Sequence, residues 1–450
     1  MDDPGPASTP LVGTDGRPHV LYVAWGFPPH RGPGTYRPLA AANTLVERGA
    51  RVTVLTADQD TFDVVVGADR SLCDAVDPRV VVRRVGMPHD TRDPIVNRWP
   101  AGRAGHSRSW TRDRAAVRAE EFPEPVYVPW LRVALAAASA VHRTDPVDLT
   151  VATGNPYVDF VVAAALHDEA GVPYILDDRD SWLLDVYTGL ERPDVDAVLP
   201  WFEHALAGCR AMWFVNPAIA GWHRERFGWA ADRIDVVENG WDPMFLDVER
   251  LAAARSGRSG GPVLTYVGTV SPTLPLAELA EAWRRARRED ALVADGELRI
   301  VGQLGHSGSS TAEQRDVERQ YREDGIVFSG RVPTGRISDV YGAADALLFA
   351  KEGTGMVTSG KVYEYVATGL PVVAALDPVH DAWRVLDGHP RLFRARPTDT
   401  AALAGAMAAA LREGRREDAE ERRLAAAARG ATRRRQAVFA RAFDTWGVGR

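Results

Sequence analysis

Among the 54 basic side chains of this 450-residue chain, all but Lys351 and Lys361 are arginines. Both lysines fall in one Gly-rich stretch, KEGTGMVTSGKVYEYVATGLPVVA. Lysine is a compact point charge, whereas arginine is a planar fork, so a lysine here suits a site that needs the smaller head. The plain alternative is chance placement on a solvated face. Thr358 or Ser359 can cap a helix whose first turn holds Lys361. The free N–H groups and partial positive charge of such a start attract phosphate. Glu364 stands three residues on, where a surface pair with Lys361 is the bland expectation. Two further clusters could do chemistry. GPGTY offers Gly32 and Gly34, whose backbone can approach a ligand closely. DDRDSW offers Arg179 and Asp180, and Gly154–Asn155 precede it at another strand end. Asp180 could orient a hydroxyl and Arg179 could stabilise charge; equally, the two could form an internal salt bridge capping the strand.

The elements that must position these residues alternate. Strand HVLYVAW (His19–Trp25), a Gly-rich loop, a helix over about Arg37–Arg48 and strand RVTVLTA (Arg51–Ala57) make a βαβ unit, hence a parallel sheet. A strand from about Val80 follows. The stretch Arg92–Arg118 holds seven arginines with Trp99 and Trp110 and reads as a loop or loose helical insertion. Next come a helix over Pro129–His142, strand DLTVATG, a helix over Asp159–Glu169, strand VPYILDD, a helix over Trp201–Ala207, strand AMWFV and strand RIDVVENG. The pattern lapses toward SGRSGGP, a flexible connector with a hinge at Ser256–Gly261. A second βα series then runs VLTYVG, helix Leu276–Arg288, ELRIVG, helix Thr311–Glu323, IVFSG, helix Ile337–Ala343, ALLFA, the helix KVYEYVAT and PVVAAL. Helices are expected from Thr400 onward.

Composition bounds the function. A chain this long holds two or three domains, and 45 % hydrophobic residues can bury a sizeable core. A net charge of −7 argues against a general nucleic-acid binder. Two distant cysteines, Cys73 and Cys209, offer neither a disulfide framework nor a zinc site. No apolar run reaches the ~20 residues that span a bilayer, and the polar start MDDPGPASTPLVGTDGRP lacks signal-peptide character. A cytoplasmic protein with a frayed tail is expected. Arg and Trp in the insertion could touch an anionic lipid or acceptor, which would place the chain peripherally at the inner membrane face; a solvated loop is the commoner case. No GxGxxG follows the first strand, which disfavours an NAD-dependent oxidoreductase.

Five segments, taken in order, resemble the GT-B fold retaining glycosyltransferases, the large "glycosyl transferases group 1" family that makes bacterial polysaccharides, glycolipids and glycosylated natural products. They are YVAWGFPPHRGPGTYRPLAAANTLVERGARVTVLT, PYILDDRDSW, RIDVVENGWDPMF, VLTYVGTVSP and SGKVYEYVATGLPVVA, and the likeness covers about Pro18–Arg412. The resemblance implies an α/β fold of two Rossmann-like domains facing an interdomain cleft. It divides the chain into a tail over 1–17, an acceptor-binding domain over 18–245, a linker over 246–262, a nucleotide-sugar-binding domain over 263–430 and a C-terminal helix over 431–450 that could pack back on the first domain.

The same resemblance implies transfer of a hexose-like sugar from a nucleotide-diphosphate sugar to an acceptor hydroxyl, with retention and without a metal or a cofactor. The acceptor would be a glycan, a lipid-linked intermediate or a natural product. Lys361 would neutralise the donor diphosphate beside Ser359 and Gly360, and Glu364 would hold the ribose diol. Gly32 and Gly34 would face the diphosphate and donor sugar, Gly268 and Thr269 the diphosphate, and Arg331 and Val332 the base. Glu352, or instead the backbone N–H groups near Gly355 and Met356, would meet the donor sugar. Gly154, Asn155, Arg179 and Asp180 fall on the acceptor side, and Lys361, Asp180 and Arg179 would carry catalysis. In two places the chain departs from the pattern. The spacing of Glu352 and Glu364 exceeds the usual one, and GTVSPTLPL lacks the basic pair that many relatives carry after the first strand of the second domain. That leaves open a pseudo-glycosyltransferase, a nucleotide-sugar epimerase or an inactive nucleotide-sugar-binding partner.

Overall fold

The computed structural model describes residues 16–256, 260–270, 274–302, 319–353, 356 and 358–447. The chain divides into two compact units. The first comprises residues 1–186, 190–238 and 436–450; the second comprises 187–189 and 239–435.

In the first unit, seven strands form one parallel sheet in the order β3-β2-β1-β4-β5-β8-β9. They are β1 (His19–Val23), β2 (Arg51–Ala57), β3 (Val81–Val85), β4 (Leu149–Gly154), β5 (Tyr174–Asp178), β8 (Ala211–Phe214) and β9 (Ile234–Val236). The central strands are continuous apolar runs because helices cover both faces of a parallel sheet, and every residue of β1, β4, β5 and β8 is buried. Helices α1 (Tyr36–Glu47), α2 (Gln59–Val65), α3 (Ala101–Gly105), α4 (Ser107–Glu121), α5 (Val128–Thr144), α6 (Val158–Ala170), α7 (Val195–Gly208) and α8 (Pro217–Arg226) connect them. A small hairpin, β6 (Leu184–Asp185) with β7 (Leu190–Glu191), interrupts the series.

The Arg-rich insertion is ordered as α3 and α4 rather than as a loop. Three of its arginines organise around one acid: Arg118 and Arg114 donate to the Asp90 carboxylate at 2.7 and 3.2 Å, and Arg103 donates to the Asp90 carbonyl at 2.8 Å. Arg103 also stacks over Trp99, 3.9 Å from its ring centroid. These partners lie far enough away in sequence that periodicity does not reveal them.

The second unit repeats the plan with six parallel strands in the order β12-β11-β10-β13-β14-β15. They are β10 (Val263–Val267), β11 (Glu297–Val301), β12 (Ile326–Gly330), β13 (Ala346–Lys351), β14 (Val372–Leu376) and β15 (Leu392–Ala395). Its helices are α9 (Val248–Ser256), α10 (Leu276–Glu289), α11 (Ile337–Gly342), α12 (Gly360–Thr368), α13 (Ala382–Leu386), α14 (Thr400–Gly414) and α15 (Ala419–Gly430). Helix α9 lies in the stretch read as linker. Of the expected helix over Thr311–Glu323, residues up to 318 lie outside the described ones; residues 319–321 are helical. Because side chains alternate along a strand, β13 feeds two cores. Ala346, Leu348 and Ala350 pack with Trp283 and Met407 of α10 and α14. Leu347 and Phe349 pack with Tyr341, Tyr363 and Tyr365 of α11 and α12.

Helix α16 (Arg435–Thr445) returns to the first unit. There Phe439 and Phe443 pack on Trp213, with ring centroids 6.5 and 5.7 Å away. Among the described residues no helix is long and apolar enough to cross a membrane.

Candidate active site

The start of α12 is built as the sequence expects. Ser359 is extended (φ −65°, ψ 134°), and its hydroxyl accepts the Lys361 backbone N–H at 3.3 Å. Gly369 ends the helix at φ 69°, a left-handed conformation that glycine adopts freely. Tyr365 fixes the helix to the sheet: its hydroxyl accepts the Val267 N–H at 2.9 Å, at the end of β10. Ser359, Gly360 and Lys361 are half-buried, so the first turn does not sink into the core. Lys361 Nζ donates to Glu364 Oε2 at 2.9 Å, and buried Tyr341 donates to the same oxygen at 2.6 Å. The carboxylate is thereby aimed, and Oε1 takes no hydrogen bond among the described residues.

The neighbouring strand ends approach closely. The Gly268 N–H donates to Val301 O at 2.9 Å, and the Gly302 N–H donates to Gly330 O at 2.8 Å. Gly302 has φ 151°, and a side chain there would collide with the Gly268 carbonyl, so only glycine fits. Thr269 O accepts from Tyr266 Oη at 3.1 Å. Arg331 is exposed and Val332 half-buried; Glu352 and Met356 are half-buried. Gly355 lies outside the described residues.

The first unit holds a recess of about 300 Å³ beyond the carboxyl ends of β1, β4 and β5, where ligands of such sheets bind. It brings together Gly32, Gly34, Asn155, Arg179 and Asp180. Both peptide bonds flanking Asn155 are cis. Arg179 donates through Nε to Gly154 O at 2.9 Å and through Nη2 to Asn155 O at 2.7 Å. Those carbonyls, rather than Asp180, hold it, so the salt-bridge cap is not formed among the described residues. Gly34 lets the guanidinium sit close: a Cβ there would meet Nη2 at 2.9 Å.

The sequence reading missed several residues of this recess. Trp25 and Tyr127 line it, ring centroids 5.1 Å apart. His30 lines it too, with Nδ1 2.6 Å from Thr35 Oγ1. Burial, and then the nearby Arg179 charge, lower the His30 pKa to about 4, so the ring is neutral near pH 7. Asp159 accepts the Trp25 N–H at 2.7 Å and the Trp130 Nε1–H at 3.0 Å. Burial nonetheless raises its pKa to about 7. In sequence Asp159 is an ordinary acid in a first helical turn, and His30 is one residue of a Pro/Gly loop. Their importance comes from which strand ends meet. The first unit also holds a buried ion pair between α1 and β5. Arg37 Nη2 donates to Asp177 Oδ1 at 2.7 Å, and the guanidinium also donates to Val237 O and Glu238 O at 2.8 and 2.9 Å.

Two parallel open sheets, each wound outward from a central first strand and each with its polar cluster beyond the strands' carboxyl ends, define a GT-B fold. Residues 261–413, within the second unit, match the family model "Glycosyl transferases group 1". Solved structures share the fold over nearly the whole length of both chains. A glycosyltransferase from Rickettsia africae ESF-5 is 12 % identical with a TM-score of 0.64, covering 96 % of this chain and 98 % of that one. Sucrose-phosphate synthase from Thermosynechococcus elongatus is 16 % identical with a TM-score of 0.58, at the same coverage. Anabaena HepE in complex with UDP-glucose is 15 % identical with a TM-score of 0.58, covering 95 % and 98 %. No curated protein matches the sequence.

Proposed function

We propose that this chain is a glycosyltransferase that moves a sugar from a nucleotide-diphosphate sugar to an acceptor hydroxyl with retention of configuration. The observation that carries the proposal is the start of α12. A capped, half-exposed helix end with Lys361 in its first turn suits a diphosphate. Glu364, held on one oxygen by Tyr341 and Lys361, presents the other to a ribose diol. The family match of this segment and the UDP-glucose bound by the similarly folded HepE support that assignment. Ser359, Gly360, Gly268 and Thr269 would contribute backbone and hydroxyl groups to the diphosphate. Arg331 and Val332 would meet the base, and Glu352 and Met356 the sugar.

The recess of the first unit is assigned to the acceptor, with Trp25 and Tyr127 as a stacking wall and Arg179 and Asp180 as polar groups. In the retaining step the acceptor oxygen bonds to the anomeric carbon on the face that the phosphate leaves. The anomeric carbon–oxygen bond breaks, and the acceptor proton passes to the departing phosphate oxygen. Products are the glycoside and a nucleoside diphosphate. Stabilising the leaving group is then the main catalytic task. The place that fits such a donor is the cytoplasm.

The test uses UDP-, GDP-, TDP- and ADP-glucose with the wild-type chain, Lys361→Ala and Glu364→Ala. Each variant should lose donor turnover by roughly a hundredfold or more while keeping its unfolding transition. Wild-type turnover in either variant removes the donor assignment. A second reading rests on the absence of any basic residue in the GTVSPTLPL segment: a nucleotide-sugar-binding partner without transfer. Donor binding in calorimetry with neither hydrolysis nor transfer would decide for it.

A further inference from the structure

The second unit lacks a cation where many transferases of this resemblance neutralise the leaving diphosphate, because Thr269 and Val270 follow Gly268. Lys361 supplies one positive charge, shared with Glu364 at 2.9 Å, against a diphosphate that carries more than one negative charge. The sheet register shows where another cation stands. Strands β10 and β13 run parallel with Leu264 beside Ala346 and Thr265 beside Leu347. That pairing ends at Thr265–Leu347, and Lys351 is the last residue of β13, at the carboxyl edge of the sheet. Alternation along β13 sends Lys351 to the same side as Leu347 and Phe349, the face covered by α12.

Lys351 is half-buried, and no carboxylate pairs with it among the described residues. Its ammonium stands 5.2 Å from the ring centroid of Tyr187, which clusters with the second unit. Burial lowers its pKa, as expected for a cation short of anionic company.

A second group points the same way. His380 is 2 % exposed, on the same face, with its ring centroid 6.5 Å from that of Phe349. Its Nδ1 accepts the Ala382 N–H at 3.1 Å, so the neutral ring carries its proton on Nε2. Nε2 is buried and has no hydrogen-bond partner among the described residues. Burial, and then the Lys351 charge, lower the His380 pKa to about 4, which keeps the ring neutral and Nε2 a donor. A buried donor without an acceptor is costly unless a ligand supplies one.

We infer that Lys351 and the Nε2–H of His380 form a second anion subsite beside the α12 start, which binds the donor diphosphate in place of the basic residues absent after β10. The inference rests on the donor assignment above and adds the groups that meet the leaving charge.

The experiment titrates the full-length wild type, Lys351→Met, Lys351→Arg and His380→Phe with UDP, GDP, TDP and ADP, and with the corresponding monophosphates. Unfolding curves check that each variant is folded, and Lys351→Gln serves if the methionine variant is not. For the diphosphate that the wild type binds most tightly, Lys351→Met should weaken affinity at least tenfold. His380→Phe should weaken it severalfold, and Lys351→Arg should restore part of the loss. The matching monophosphate should change less than twofold for every variant. Equal diphosphate affinity in Lys351→Met and wild type overturns the inference and leaves the donor assignment standing. Equal losses for mono- and diphosphate also overturn it. A wild type that binds none of the four nucleotides overturns the donor assignment itself.

Discussion

The recess of the first unit and the helix start of the second treat charge in opposite ways. In the first, the protein itself holds the charged groups Arg37, Arg179 and Asp159, although Trp25 Nε1 and Asp178 Oδ2 are buried without a partner. Arg37 is held by Asp177 and two carbonyls, Arg179 by Gly154 and Asn155, and both Asp159 oxygens by Trp25 and Trp130. In the second, Lys351 and His380 Nε2 have no hydrogen-bonding or ionic partner among the described residues, and Glu364 uses one oxygen of two. Removing a satisfied group strands its partner and costs stability. Removing a group with capacity to spare costs ligand binding instead. The first unit's guanidinium groups are held by the protein itself; in the second, Lys351 has no carboxylate paired with it among the described residues.

The comparison breaks most visibly at Arg37. Arg37→Met strands Asp177 in a fully buried position, and chemical denaturation should show a loss of about 3–5 kcal/mol. A loss below about 1 kcal/mol would mean that the pair contributes no more than a surface salt bridge.

pH gives the next effect. Burial, aided by the Asp180 charge, raises the Asp178 pKa to about 8, whereas an unfolded aspartate ionises at about 4. Between those values the folded chain retains a proton that the unfolded chain has lost. This contribution to stability therefore falls as pH rises from about 4 to about 8. Asp178→Asn should gain melting temperature relative to wild type as pH is raised from 5 to 8. The difference between variants isolates this group, because the buried, neutral His30, His223 and His380 contribute with the opposite sign below about pH 6.5. Parallel pH profiles would show that Asp178 does not set the slope.

Two helix caps sharpen the contrast. Asn216 is fully buried and accepts the Ile219 N–H at 2.9 Å, whereas Ser359 is half-exposed and accepts at 3.3 Å. Asn216→Ala should cost about 1–2 kcal/mol and Ser359→Ala about 0.5 kcal/mol. The reverse order would contradict the view of the α12 start as a surface reserved for a ligand. The smallest effect belongs to Lys361→Ala. Its stability should stay within about 0.5 kcal/mol of wild type, as for a half-exposed i, i+3 pair whose acid keeps a second partner in Tyr341. A larger loss would make Lys361 a structural residue.

Much of the fold was legible because parallel strands write themselves as apolar runs. β2, β10 and β14 fall where VTVL, VLTYV and VVAAL stand, and α12 starts where its cap predicts. What escaped was held by partners distant in sequence. Residues 92–118 left loop and loose helix open because Asp90, the acid that organises α4, lies well upstream. The short strand β15 (LFRA) gave too little pattern. In the candidate site, Lys351, Lys361 and Glu364 were visible through composition and spacing. His30, Asp159 and His380 were not, because an isolated histidine or aspartate carries no period. Only the meeting of strand ends sets Asp159 beside Trp25, or leaves a histidine nitrogen without an acceptor.

The return of α16 has a consequence for the order in which the protein is made. Trp213 receives Phe439 and Phe443 only after the whole of residues 239–435 has emerged from the ribosome. The second unit is continuous apart from a three-residue tip and can close while translation proceeds. The first unit, begun earlier, must wait with an aromatic core face uncovered.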